Sequence, residues 1–300
     1  MISSLLSIFF ILIIPKFILG NFANGFIALV NCIAWLKRQK ISCADRILTA
    51  LAISRISLLW LMGLSWYVIL FNPVLNRSEV RTIAYIAWAV CNHFSVWLAT
   101  SLSIFYLLKI ANFSSLLFRH LKWKAERVVL MILLGTLVFL VCQVATIGIE
   151  GKLQTDKCKG NFTWETNCKD IVHFSFMTVF ILANFIPFII SMTSFLLLIF
   201  SLWKHLRKMQ LGGKGSQDPS TKVHVRAMQT VASFLLLSVV YFLAQIITTW
   251  SSNTLENKPV FMLCQILAVL YASSHSFILI WGNKKLRQAF LSFLWQLRCW

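Results

Sequence analysis

Long apolar runs parted by short basic stretches restrict what this 300-residue chain can fold into more than any other feature. A helix that crosses a bilayer needs roughly 20 mainly apolar residues. Seven stretches meet that requirement, at about 2–36, 44–71, 82–109, 125–148, 171–203, 226–250 and 259–282. Hydrophobic residues make up 59% of the chain and charged residues 12%, against roughly a quarter charged in an average soluble domain. One core cannot hide that much apolar surface, whereas a bilayer can. The expected fold is therefore an all-α membrane protein, a seven-transmembrane helix bundle forming a single domain over residues 1–300. No internal repeat interrupts it. The first run has no basic residues ahead of it and no small-x-small cleavage site behind it, so it reads as a retained span rather than a signal peptide.

Loop charges orient the bundle. With the N-terminus outside, the cytoplasmic segments carry nineteen Lys and Arg and the outer loops seven, and only Lys16 and Arg55 remain, both within spans. The positive-inside rule favours this arrangement. It also accounts for the net charge of +19 without a nucleic-acid partner. Of three Asn-x-Ser/Thr tripeptides, at Asn76, Asn112 and Asn161, the first and third face the lumen during synthesis. Asn161, in the middle of the longest outer loop, is the expected glycosylation site. Cys158 and Cys168 share that loop, and compartment alone leaves their pairing open. Beyond the seventh span, Leu286, Phe290, Phe293, Leu294 and Leu297 recur at helical spacing among Lys284, Lys285 and Arg287. That pattern predicts a short amphipathic helix lying on membrane lipids of the inner leaflet.

An ionisable residue inside a span is costly and points to function by default. No Asp or Glu lies well inside any of the seven runs, which weakens ion-coupled transport and two-carboxylate hydrolysis. The six histidines show no ligand spacing, so no metal or other cofactor is expected. Broken helices and internal repeats of a transporter are not evident either. Arg55, in the second span, is read as structural, pairing with polar groups such as Asn24. Lys16 can snorkel to the outer interface. In the third span, Tyr85, Trp88 and Asn92 fall at i, i+3 and i+7 and share one face. Trp66, Tyr67, Phe180, Asn184, Tyr241, Gln245 and Gln265 occupy the outer halves of other spans. Together they could line an aromatic cavity with a few hydrogen-bonding groups, the usual make-up of a small-molecule site. Any one of these aromatics alone is more often packing or an interfacial anchor.

Five segments in order resemble the bitter taste receptors, a family of G-protein-coupled receptors. Gly20-Asn21-Phe22-Ala23-Asn24-Gly25-Phe26-Ile27 resembles that family's first helix, and Leu51-Ala52-Ile53-Ser54-Arg55 its second. Phe105-Tyr106-Leu107-Leu108-Lys109-Ile110-Ala111-Asn112-Phe113-Ser114 is similar to the end of its third. Ser233-Phe234-Leu235-Leu236-Leu237 with Tyr241-Phe242-Leu243 resembles the sixth. His275-Ser276-Phe277-Ile278-Leu279-Ile280, followed by Asn283 and Lys285-Leu286, resembles the seventh and its exit. The resemblance implies a plasma-membrane receptor, not an enzyme, that binds bitter small molecules and activates a gustducin-type heterotrimeric G protein. It implies pocket roles for Trp88, Asn92 and Gln265. A receptor oligomer stays open. Gln265 stands where some relatives carry Glu, and Ala272 where they often carry Pro, which would straighten the seventh helix. On the cytoplasmic side, Lys109, His205, Lys208, His224 and Arg226 cluster at the ends of the third, fifth and sixth spans as the expected G-protein surface.

Overall fold

The computed structural model describes residues 2–71, 78–111, 113, 115–158, 166–211, 219–251 and 258–298, and every regular element among them is helical. Helices α1 (Ile2–Leu36), α2 (Cys43–Phe71), α3 (Ser78–Ile110), α5 (Ala125–Cys158), α6 (Thr166–Leu211), α7 (Pro219–Ser251) and α8 (Lys258–Gly282) contain the seven apolar runs. All seven are long and apolar enough to cross a membrane. Two short helices flank the set at one end of the bundle, α4 (Leu116–Trp123) and α9 (Lys284–Arg298). The second was expected as an amphipathic helix. The first was not, because its eight residues are too few for an apolar period to stand out.

The seven long helices close a ring in chain order, α8 packing back on α1, with α3 against α2, α5 and α6. This explains why α3 is the most buried span and α5 the least. Leu130, Met131, Val138 and Val141 of α5 are exposed, an apolar surface of the kind lipid covers. The helices outrun the apolar stretches that predict them. α6 has 46 residues, since helical hydrogen bonding continues past the point where side chains stop being apolar.

The end of the bundle that carries α4 and α9 is fastened by polar caps. Arg38 has φ 52°, and its neighbourhood closes α1 as a Schellman turn. Gln39 N donates to Ala34 O at 3.0 Å and Arg38 N to Trp35 O at 2.9 Å. Ser42 and Asp45 cap α2 reciprocally: Asp45 N donates to Ser42 Oγ and Ser42 N to Asp45 Oδ2, both at 3.1 Å. Asn283 Oδ1 accepts from Lys285 N at 3.0 Å and Leu286 N at 3.3 Å, which starts α9. Lys285 Nζ then reaches Asn31 Oδ1 at 3.0 Å and Asp45 Oδ2 at 3.6 Å. Three helices are thereby pinned around one cation.

Candidate ligand-binding site

Two polar nodes cross the apolar interior. The first is built on Arg55, which is fully buried. Its Nη1 donates to Ser276 Oγ at 3.2 Å and its Nη2 to His275 Nδ1, while its guanidinium carbon lies 5.4 Å from the centre of the Tyr271 ring. A guanidinium has no acceptor, so Nδ1 must supply the lone pair and His275 carries its proton on Nε2. Ser276 Oγ is also 2.7 Å from Asn24 Oδ1, and Asn24 Nδ2 donates to Gly20 O at 2.8 Å. Arg55 therefore reaches Asn24 through Ser276 rather than directly. Among the described residues its hydrogen-bonding and ring partners come from α8, which runs unbroken through Ala272, and its Nε has no partner.

The second node is built on Asn92, one face of which the sequence had singled out. Tyr241 donates its hydroxyl proton to Asn92 Oδ1, Asn92 Nδ2 donates to Asn184 Oδ1 at 3.1 Å, and Asn184 Nδ2 donates to Phe180 O at 2.9 Å. α3, α6 and α7 are joined through one side chain. Above it, Trp88 stacks on Phe180 with ring centres 5.8 Å apart, and Tyr241 stacks on Tyr271 at 4.3 Å. Each aromatic pair adds directional attraction to its apolar burial.

A cavity of about 30 Å³ adjoins this node, lined by Leu58, Met62, Trp88, Tyr241, Ala244, Gln245, Thr248, Cys264, Gln265 and Ala268. Its polar groups are the Tyr241 phenol, the Gln245 and Gln265 amides, the Trp88 indole N–H and the Thr248 hydroxyl, whose proton goes to Ala244 O at 2.8 Å. Of the sequence candidates, Trp88, Asn92, Phe180, Asn184, Tyr241, Gln245 and Gln265 thus meet in one neighbourhood. Trp66 packs edge-on against Phe9 at 5.3 Å and joins the same apolar cluster without lining the cavity. Tyr85 is 51% exposed and Tyr67 55%, so neither side chain turns inward with the others. Leu58 and Met62 were not singled out, yet they stand at i+3 and i+7 from Arg55 on one face of α2. That spacing was the available signal. Cys264 and Ala268 carry none, being too small and apolar to distinguish from packing.

At the end of the bundle near α4 and α9, Lys109, His205 and Lys208 are exposed, Lys109 Nζ lying 5.7 Å from the centre of the Phe105 ring. His224 and Arg226 fall in the first turns of α7, their side chains outside the described residues. Asn76, Asn112 and Asn161 lie outside the described residues, as do the side chains of Cys158 and Cys168. Among the described residues no cluster of His, Cys, Asp and Glu could hold a metal.

A ring of seven apolar helices, each long enough to cross a membrane, defines a seven-transmembrane protein as a class. The comparisons carry this further. The profile of the taste receptor protein (TAS2R) family matches residues 1–298. Taste receptor type 2 member 46 of Homo sapiens is 61% identical over 300 residues, all of this chain and 97% of that protein. Taste receptor type 2 member 43 of Pan paniscus is 59% identical over the same share of both chains, as is member 66 of that species. The chain belongs to the taste receptor type 2 family. It is a multi-pass plasma-membrane receptor of the G-protein-coupled class with bitter taste receptor function, and not an enzyme.

Proposed function

We propose that this receptor binds bitter compounds in the cavity between Trp88 and Gln265 and signals through a gustducin-type G protein at the basic end of the bundle. The carrying observation is the convergence of these side chains on one cavity, which at about 30 Å³ holds a water-sized group and widens around a bitter compound as the helices shift. Trp88, Tyr241, Gln245 and Gln265 share its wall, and Tyr241 is bonded to Asn92. An indole plane gives an agonist apolar area at little cost in side-chain entropy, and the amides fix its orientation. Gln265 is neutral, so it offers a cationic compound no ion pair, and the preferred agonists are neutral and largely apolar.

Signalling is assigned to the ends of α3, α6 and α7, where Lys109, His205, Lys208, His224 and Arg226 gather. A G protein binds there in preference to one of two arrangements of the helices, and an agonist shifts the population between them. The count of basic residues supports an outside N-terminus, with α9 resting on inner-leaflet lipid. This topology puts Asn161 outside, where it carries a glycan.

Calcium imaging of cells expressing the receptor with a gustducin-containing chimeric G protein tests the pocket. Trp88→Ala should weaken agonists by on the order of 1–3 kcal/mol, the loss of a buried aromatic contact. Gln265→Glu should shift the responsive set toward amines, through charge-assisted hydrogen bonds. Potencies that stay unchanged in Trp88→Ala, at equal surface expression, would put the pocket elsewhere. Peptide N-glycosidase should raise the gel mobility of the wild type, and Asn161→Gln should remove most of that shift. An unshifted band from surface-expressed protein counts against the topology.

A further inference from the structure

A second cavity, also about 30 Å³, lies on the other side of the Asn92 node. Its α3 wall is formed by Val96, Ala99 and Thr100, one to two turns beyond Asn92 toward the end that carries α4 and α9. Its α6 and α7 walls include Ser191 and Ser238. Tyr241 and Gln245 line both cavities, so these two side chains, one helical turn apart, are the partition between them. Tyr241 is held in that position by its bond to Asn92 and its stack on Tyr271.

The polar groups of this second wall are unevenly committed. A hydroxyl has one proton and two lone pairs. Thr100 Oγ1 directs its proton to backbone oxygens, Val96 O at 3.0 Å and Pro187 O at 3.2 Å. Ser238 Oγ directs its proton to Phe234 O at 2.8 Å. Both therefore have only lone pairs left to offer a bound group. Ser191 is buried in the same wall and has a hydroxyl to offer as well. Asn184 is committed to Asn92 and Phe180 and Gln245 can donate as well as accept, but Thr100 and Ser238 can only accept, so their part of the wall complements a donor. No carboxylate lines it among the described residues, and an ion taken from water without a counter-charge is strongly disfavoured, so the donor is neutral. A cavity of about 30 Å³ exceeds the roughly 10–15 Å³ that one water-sized group needs and is far short of a ring.

We propose that the Ser191 cavity is a second subsite of the agonist site, taking a compact neutral donor, a hydroxyl or amide N–H at the tip of an otherwise apolar agonist, once Tyr241 turns away from Asn92. This rests on the placement of the agonist between Trp88 and Gln265. The subsite makes Ser191 and Ser238 specificity-determining residues. They would favour agonists that end in a donor over analogues that lack one, without changing what Trp88 contributes to either.

The experiment uses neutral alcohols and their matched hydrocarbons: menthol with menthane, borneol with bornane, and 4-phenylbutan-1-ol with butylbenzene. Dose–response curves are taken on the full-length receptor in cells, normalised to surface expression, for wild type, Ser191→Val, Ser191→Ala, Ser238→Ala and Trp88→Ala. In wild type each responsive alcohol should exceed its hydrocarbon by about tenfold, the factor one well-made hydrogen bond supplies. Ser191→Val both removes the hydroxyl and fills the cavity, and should collapse that ratio to about one, a loss of one donor's worth of discrimination. Ser191→Ala and Ser238→Ala should reduce it in the same direction, so the test survives if the valine variant fails to reach the surface. Trp88→Ala should weaken both members of a pair and keep their ratio. Alcohols no better than their hydrocarbons in wild type, or a ratio unchanged in all three serine variants while Trp88→Ala still weakens both, would overturn the subsite and leave the pocket standing. Pairs indifferent to Trp88→Ala would overturn the pocket, and the subsite with it.

Discussion

The Arg55 node and the Asn92 node are both polar crossings in an apolar bundle, and they are built in opposite ways. Arg55 is a permanent charge enclosed by α8, with His275, Ser276 and the Tyr271 ring all turned on it. Asn92 is a neutral amide between a phenol and a second amide, with a cavity on either side of the phenol. The difference follows from what each group costs when unpaired. A buried charge without partners is very unfavourable, so the partners its two terminal nitrogens have must be kept in every state of the receptor. A neutral hydrogen bond is worth roughly 1 kcal/mol net and can be exchanged for another, including one to a bound molecule. The first node is therefore a scaffold, and the second is where the bundle can change.

Removing the charge should have the largest effect. Arg55→Ala leaves His275 Nδ1 and Ser276 Oγ without their donor and opens a void the size of the guanidinium. Destabilisation on the order of 3 kcal/mol is expected from unpaired buried groups together with lost packing. Thermal unfolding of the purified receptor and its surface expression both report this. Arg55→Lys should recover part of the loss, because a point charge cannot serve Ser276 and His275 in the same fork geometry. Full stability in Arg55→Ala would erase the distinction between the nodes.

A smaller effect tests how tightly the scaffold closes around its charge. Gly20 lies beside it, its carbonyl holding Asn24. A Cβ on Gly20 would collide with Ser273 Oγ and come within 3.0 Å of Leu59 Cδ1. Ser273 cannot easily retreat, since its hydroxyl is bonded to Lys16 O at 2.7 Å and Val269 O at 2.9 Å. Gly20→Ala should cost about 1–3 kcal/mol of stability, as overpacking does. Gly25, five residues along the same helix, has nothing within 4 Å of such a Cβ, so Gly25→Ala should stabilise by up to about 1 kcal/mol through helix propensity. Equal responses in paired melting curves would show that α1 does not approach α8 closely at Gly20.

The two nodes also differ in how legible they were beforehand. Arg55 announced itself, because a cation in an apolar run has to be explained. Its partners did not, since Ser276 and His275 are ordinary residues until α8 is folded against α2. For Asn92, helical spacing placed Trp88 on the same face and the composition of other spans supplied Asn184, Tyr241 and Gln245. The same spacing put Tyr85 on that face too, and the structure leaves it half exposed. Near the helix start, three or four residues of drift carry a side chain from the interior to the rim. The seven spans were legible because lipid enforces length and hydrophobicity together. The reciprocal cap of Ser42 and Asp45 and the short helix α4 were not, because they depend on a few polar atoms rather than on a period. The second cavity could not be read at all. It is a gap between Ser191, Ser238 and Thr100, which are brought together only by the packing of three helices.

The smallest effect should come from the exchangeable bond itself. Tyr241→Phe keeps the ring that stacks on Tyr271 at 4.3 Å and removes the hydroxyl that donates to Asn92 Oδ1 and is also hydrogen-bonded to Gln245. If the bond to Asn92 holds the resting arrangement, its loss raises the free energy of the resting state by roughly 1 kcal/mol relative to the signalling one. A shift of that size multiplies the signalling population by about fivefold. Basal signalling, measured without agonist and normalised to surface expression, should therefore rise by up to that factor, while the melting temperature moves far less than in Arg55→Ala. An unchanged basal signal would mean that both states keep the Tyr241–Asn92 bond. The partition between the cavities would then be fixed, and the Asn92 node would belong to the scaffold as Arg55 does.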